Sequence, residues 1–481
     1  YMPLNDLNLN WGYYSEPEPY LNNRRVHCPR GKVLGGSSSI NGMVYIRGNQ
    51  EDFNEWARLG ATGWNYESVL PYFKKSQRAD NRTEAHPYQG HAGPLATTTG
   101  TLSNPLYSVF LDAIKSAGHQ LNQDVNGANQ QGFGPVPMTV DSGIRASTFY
   151  SYLAKPKKER DNLEIVSNAL TQRILIKDKT AFGVNYLHRG RQIKATASSE
   201  VILSAGAINS PQLLMLSGIG EESELNSHGI EIHSELPGVG KNLMDHLEVY
   251  VQQACLKPIS LHKHLGLLGK ARIGLEWLAT GRGLGATNHF EVGGFIRSSD
   301  KIPYPDIQFH FLPVAMSYDG KSKASQHGFQ VHVGPMLPKS RGKVSLKNSN
   351  PNLPPKIEFN YMSDETDFSI FRAAIQAARK IFNQPDFERI RGQELNPGQH
   401  CQSEEALNNF IKENAESAYH PCGTCKMGVD QSSVVDPAGR VYGIDSLRVV
   451  DASIFPQITN GNLNAPTMMV AERIADLIKA S

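Results

Sequence analysis

Two periodicities divide this chain of 481 residues. In the first third, apolar positions recur at helical spacing and predict helices over Glu51–Leu59, Glu67–Lys75 and Leu106–Gly118. Stretches rich in Gly, Pro and Asn predict loops at His86–Leu95 and Asp124–Pro135. Alternation then takes over in Leu163-Glu-Ile-Val-Ser and Arg173-Ile-Leu-Ile-Lys, which read as strands. Glu200-Val-Ile-Leu-Ser-Ala-Gly206 is a compact apolar strand, and a helix is expected at Ser210–Leu216. A strand–Gly–helix turn of this kind suits contact with a cofactor at the edge of a sheet. From 251 to 411 polar and apolar residues alternate in Ile307-Gln-Phe-His-Phe and Phe329-Gln-Val-His-Val, the pattern of an antiparallel sheet with one open face. Lys343–Lys347 and Lys356–Phe359 add strands, and Asp367–Asn383 is an amphipathic helix. The pattern as a whole predicts a mixed α/β (α+β) protein without internal repeats.

Composition narrows the function classes. With 48 Lys and Arg against 46 Asp and Glu, the net charge of +2 offers no electrostatic footprint for nucleic acid. No run of about 18 apolar residues occurs, so no spanning helix is expected; peripheral attachment to a membrane stays open. The five cysteines are too few and too scattered for a disulfide framework and fit a reducing compartment. Cys422-Gly-Thr-Cys425 has the spacing of a zinc half-site, but no second pair completes it, and no metal site is expected.

The candidate chemistry concentrates near the C-terminus. His420 precedes a Pro-Cys-Gly-Thr turn, and Asn462 and Asn464 precede an apolar helical run. A histidine takes a proton near neutral pH, and an asparagine amide both donates and accepts hydrogen bonds. Far upstream, Gly35, Gly36 and Ser37 belong to a Gly/Ser-rich loop, expected to enter a helix within residues 31–48, whose backbone N–H groups can face a phosphate.

These stretches carry a family resemblance. Gly31-Lys-Val-Leu-Gly-Gly-Ser-Ser-Ser-Ile-Asn-Gly-Met-Val-Tyr45 and Gly206-Ala-Ile-Asn-Ser-Pro-Gln-Leu-Leu-Met-Leu-Ser-Gly-Ile-Gly220 resemble the two signatures of the glucose–methanol–choline oxidoreductases. Gly238-Val-Gly-Lys-Asn-Leu-Met-Asp-His246 and the segment from Ser417 to Met469 resemble further patterns of that family, and the likeness runs along the whole chain. Within it, Asn288-His-Phe-Glu-Val-Gly-Gly-Phe295 and Gly461-Asn-Leu-Asn464 are most similar to the choline-oxidising dehydrogenases.

The resemblance implies a Rossmann-like FAD-binding domain over 1–250, a substrate domain over 251–411 with an antiparallel sheet backed by helices, and a closing segment over 412–481. It implies FAD-dependent oxidation of an alcohol, choline to betaine aldehyde first among the candidates, with hydride passing to flavin N5 and His420 handling the hydroxyl proton. Asn462 would orient the alcohol oxygen. Gly35, Gly36, Ser37, Asn41, Gly42, Gly206, Asp451 and Asn464 would lie along the flavin and its arm, and Thr171 would meet the adenine. Glu291, with Phe290 and Tyr419, would take the trimethylammonium head; the alternative is that Glu291 only holds its loop. Ile40 stands where some members bear a histidine bonded to the flavin, so the FAD is expected to be non-covalent.

The expected electron acceptor is a quinone or another respiratory-chain component, and the expected location is cytoplasmic, peripheral on the inner membrane, or on the matrix side in a eukaryote. A Gly-x-Gly-x-x-Gly turn is missing: Gly238-Val-Gly240 has Leu243 where the third glycine belongs. The first βαβ unit is therefore expected upstream of Tyr1, and without it FAD binding is expected to be weak. Action on another aliphatic alcohol, an oxidase using oxygen, and an inactive fragment are the competing readings.

Overall fold

The structure is a computed structural model and describes residues 6–80, 87–154, 160–316 and 326–480. Tyr1 and His86, where two of the expectations above begin, lie outside them.

The fold is mixed α/β, and its largest unit is an antiparallel sheet of seven strands. Across it run Arg391–Asn396, Leu247–Cys255, Gly328–Pro335, Ile307–Leu312, Val292–Ile296 and Gly132–Pro135, with Glu416–Ser417 also paired to Leu247–Cys255. The alternating sequences fold as strands in register, with Phe309 opposite Val333 and His310 opposite His332. Their aromatic side forms a packed core: Phe311 stacks on Phe110 at 4.3 Å and Phe329 on Phe387 at 5.0 Å. The Glu365–Phe382 helix covers this side with Phe371, Ala374, Ile375, Ala378 and Phe382, a stripe of helical period, and Asp364 caps its first turn. The alternation suggested that the other side faces solvent. Instead Ile307–Leu312 and Gly328–Pro335 are buried throughout, because the polar side, with Gln308, His310 and His332, forms a wall of an internal cleft.

The opposite wall is built from the segments of the two signatures. Val201–Leu203 pairs in parallel with Leu447–Val449, and the helix Gly206–Leu216 begins four residues earlier than expected. The 31–48 stretch does not enter a helix. It makes one short 3-10 turn at Gly36–Ser39 and stays irregular, with Met43 in the left-handed region at φ 58°. The next helix, Gln50–Arg58, is closed by a capping box between Asn49 and Asp52. Leu163–Ser167 is not a strand: it pairs with no strand among the described residues, and Val166 is exposed. Arg173–Lys177 belongs to the Ala169–Lys177 strand of a separate three-stranded sheet. Among the described residues, no helix is long and apolar enough to cross a membrane.

Candidate active site

The cleft has a volume of about 750 Å³, within the range of roughly 300–1,000 Å³ common for ligand sites. His420 enters it through an irregularity in strand pairing. Met244 faces Cys422 and Leu247 faces Ser417, so four residues between these pairs on one strand answer two on the other. The surplus bulges into the cleft, with Tyr419 in the left-handed region at φ 67°. Buried Asp245 holds the bulge by accepting from the His420 N–H at 2.6 Å, the Tyr361 hydroxyl at 2.6 Å and the Ser417 hydroxyl. Arg30 donates to the Tyr419 carbonyl at 2.7 Å.

The protonation pattern around His420 follows from its partners. His246 Nε2 lies 2.9 Å from the Met336 carbonyl, which only accepts, so Nε2 carries the His246 proton. Burial pushes the His246 pKa down to about 4, which leaves its Nδ1 an acceptor at neutral pH. His420 Nδ1 lies 3.0 Å from that atom and must donate to it. The His420 proton is thereby fixed on Nδ1, and Nε2 presents its lone pair to the cleft. Burial, with His246 and Arg30 nearby, holds His420 well below its ordinary range, so it is a neutral base. The Asn462 amide nitrogen is 3.1 Å from His420 Nε2, and its oxygen accepts from Gln308 at 3.3 Å.

Asn462 sits in a loop anchored by its buried neighbours. Asn460 is buried, with its N–H on Asp52 at 2.7 Å and its amide on Gln130 at 3.0 Å. Gly461 has φ 115°, and a Cβ there would meet Ile46 at 2.5 Å, so only glycine fits.

Of the other predicted residues, Gly35, Gly36, Ser37, Asn41, Gly42, Gly206, Asp451, Asn464, Phe290 and Tyr419 all line the cleft. Asp451 spends its carboxylate on the protein: it accepts from Gly206 N–H at 2.8 Å, Ser210 Oγ at 2.6 Å and Ser453 N–H at 2.7 Å. It therefore ties the Gly206 turn to the next segment. Thr171 is not brought to the cleft; it pairs with Tyr186 inside the three-stranded sheet. Glu291 is not brought there either. It is buried beside Gly100 and accepts from the Leu102 N–H at 2.8 Å and the Thr287 hydroxyl at 2.9 Å. Holding the loop, the alternative role, is what this geometry describes.

A different carboxylate faces the cleft. Glu248 is buried in its wall, two residues beyond His246. His332 Nδ1 lies 2.8 Å from Glu248 Oε1. The Gln330 oxygen already accepts from Gln252 and from the Met316 N–H, both at 2.8 Å, so its amide nitrogen faces His332 Nε2 at 2.6 Å. His332 thus accepts at Nε2 and donates from Nδ1 to the Glu248 carboxylate. Phe290 stands edge-on to His332 at 5.4 Å and to His310 at 5.7 Å. His310 is buried and neutral, its pKa pushed down to about 3, and its Nδ1 has no hydrogen-bond partner among the described residues. Cys422 and Cys425 are both free and buried, and burial raises both thiols far above the range of reactive cysteines.

The family model for the N-terminal part of GMC oxidoreductases matches residues 16–248, and that for the C-terminal part matches 338–471. The chain belongs to the GMC oxidoreductase family. An "oxygen-dependent choline dehydrogenase" of Brucella suis biovar 1 (strain 1330) is 51% identical over 479 residues, covering 99% of this chain and 86% of the relative. A protein of the same name in Rhizobium etli is 50% identical over 478 residues, at 99% and 86% coverage. Among solved structures, pyridoxine 4-oxidase from Mesorbium loti superposes with a TM-score of 0.88 at 27% identity, over 98% of this chain and 89% of that one. A formate oxidase of Aspergillus oryzae RIB40, studied for its FAD modification, reaches 0.91 at 26%, over 98% and 88%.

The cleft of this GMC oxidoreductase fits a flavin dinucleotide on its own features. Cβ atoms added at Gly36 and Gly206 would meet nothing within 4 Å, and one at Gly42 only Phe290 at 3.9 Å. Backbone is thus bared along one side, as close approach of a large planar ligand needs. Two helix N-termini, at Gly206 and Asn464, open on the cleft and favour electron-rich or anionic groups.

His246, Glu248, His310 and His332 were not picked out as site residues from sequence. Two signals pointed to them: Asp245-His246 ends a pattern already noted, and the two histidines occupy matching polar places in two alternating strands.

Proposed function

We propose that this chain oxidises choline to betaine aldehyde with non-covalently bound FAD. The observation that carries the substrate is the 51% identity to relatives bearing that name over 479 residues. The buried Glu248 carboxylate beside Phe290, His310 and His332 supports it. A trimethylammonium group has no N–H to donate, and is recognised by a carboxylate and by aromatic faces worth roughly 0.5–2 kcal/mol each.

FAD, when bound, supplies the hydride acceptor at N5. The residues do the rest. His420 Nε2 takes the hydroxyl proton; its tautomer is set beforehand by His246, so no rearrangement precedes the transfer. Asn462 donates to the alcohol oxygen in place of His420 Nε2. Gly35, Gly36, Ser37, Asn41, Gly42, Gly206 and Asn464 flank the flavin, and Asp451 holds two of the segments that do so. In this reading residues 1–250 and 412–481 serve the cofactor, and 251–411 supply most of the substrate wall. Electrons leave to a quinone-type acceptor, and the protein works on the cytoplasmic face.

The test is turnover of the FAD-loaded protein on a panel of alcohols, followed by dye reduction and, separately, by oxygen uptake. Choline is expected to give the highest kcat/KM. An aliphatic alcohol that exceeds it would overturn the substrate, and oxygen uptake as fast as dye reduction would overturn the acceptor.

A further inference from the structure

The helix Leu267–Thr280 is built inside out. None of its residues is buried, and Leu267, Leu268, Leu275 and Leu278 are 88%, 89%, 68% and 74% exposed. At about 100° per residue these four leucines and Ala271 fall on one arc of about 100°. Lys270 and Arg272 stand at its two edges. Ile273 and Trp277 point the other way, where the Trp277 indole donates to the Gly143 carbonyl at 2.7 Å and the Trp277 Cβ lies so close to Gly285 that a Cβ added there would meet it at 2.8 Å. The helix is thus pinned by its aromatic side and shows its leucines outward.

From these observations we infer that this helix lays its leucine face on an anionic lipid surface. Two further features favour lipid over protein. Lys263, Lys270, Arg272 and Arg282 are all exposed, against one acid, Glu276, over the same stretch, and that balance complements anionic headgroups. A two-fold contact with a second copy would bring the like-charged edges Lys270 and Arg272 together, which opposes self-association. At about 1.5 Å per residue the 14-residue helix reaches about 21 Å, short of the ~30 Å hydrocarbon core, so it lies in the interface rather than across it.

The helix is continuous with the cleft. A 3-10 turn at Leu284–Ala286 follows it, and then come Thr287, Asn288, His289 and Phe290, which line the cleft wall. On its other flank, Gly143 stands two residues from Arg145, also in that wall. Docking by this face sets the cleft rim beside the bilayer, where a lipid-soluble electron acceptor resides. The inference stands whichever alcohol is oxidised.

Co-sedimentation of the full chain with phosphatidylcholine vesicles, with and without phosphatidylglycerol, tests it. Binding is expected only with phosphatidylglycerol and is expected to weaken with salt. The Leu268→Ser/Leu275→Ser/Leu278→Ser protein should bind at least about tenfold more weakly, and so should Lys270→Glu/Arg272→Glu, both with the wild-type melting transition because the changed side chains are exposed. Wild-type protein that ignores anionic vesicles, or serine variants that bind as wild type does, would overturn the inference. So would a lipid-free dimer that the serine changes dissolve, since the face would then be a protein interface.

Discussion

Replacing His246 by Phe tests how the base is prepared. In the folded protein the His246 Nδ1 lone pair, 3.0 Å away, accepts the His420 Nδ1 proton. Phe offers no acceptor. His420 must then bury an unsatisfied donor, at a cost of about 1–3 kcal/mol, or move its proton to Nε2, where it can no longer take one from the substrate. Either outcome lowers the population of the competent base by about 5- to 150-fold, and kcat/KM should fall by that factor on every alcohol tested. The pH profile carries a second readout. A base works deprotonated, so activity is lost as pH falls through its pKa. With His420 held well below 6.5 by burial and by His246, the wild-type profile is level from about neutral upward. Removing His246 lifts one of the causes, so the acid limb should move to higher pH. His246→Asn, whose amide oxygen can accept, should restore part of the rate. Stopped-flow flavin reduction across pH on folded, FAD-loaded protein measures all three. A Phe variant within about twofold of wild type with an unmoved acid limb would refute the relay.

Further outcomes follow from other parts of the molecule. Glu291→Gln should cost choline and its uncharged isostere dimethylbutanol equally in kcat/KM, because the carboxylate holds Leu102 and Thr287; a loss confined to choline would return it to the cation site. For His310, whose folded pKa of about 3 is depressed from 6.5, the unfolded chain binds more protons below about 6.5, so stability is lost as pH falls. Between pH 7.5 and 5 that amounts to about 2 kcal/mol at ~1.36 kcal/mol per unit. Denaturant unfolding of His310→Phe should therefore gain about 2 kcal/mol on wild type over that interval, while buried Glu18 and Asp52, both raised to about 7, act in both proteins and cancel; parallel pH curves would contradict it. Acid precipitation should release all flavin to the supernatant, since Ile40 in the cleft wall offers no nucleophile; flavin retained in the pellet would mean a covalent link elsewhere.

Much of this architecture was legible in the sequence. Period 3.6 placed the helices at Gln50–Arg58, Tyr66–Ser76, Pro105–Ser116 and Glu365–Phe382 within one or two residues, and period 2 placed Ile307–Leu312 and Gly328–Pro335. What alternation could not say is what faces the polar side of a sheet, water or a cleft, because both tolerate Gln and His. Leu163–Ser167 shows the converse: an alternating run stays irregular where no strand among the described residues pairs with it. His420 and Asn462 stood out as neighbours of turns. Glu248 was hidden in an apolar run, Leu247-Glu-Val-Tyr-Val, where a lone acid reads as an edge position; the register that sets Val249 opposite Val333 and Tyr250 opposite His332 puts it on the polar side of the sheet. Glu291 misled for the opposite reason: a glutamate beside an aromatic in a Gly-rich stretch looks like a ligand site, yet two local donors at Leu102 and Thr287 claim it.

The most direct measurement of the central claim is the choline preference of Glu248→Gln. The change keeps shape and a hydrogen-bond acceptor for His332 and removes only the charge. With FAD-loaded protein, kcat/KM for choline should fall by about tenfold or more, equivalent to about 1.4 kcal/mol, while dimethylbutanol, which lacks the charge, should change by less than about threefold. Equal losses on both alcohols, or none on choline, would contradict a cation held at Glu248 and with it the choline reading of this cleft.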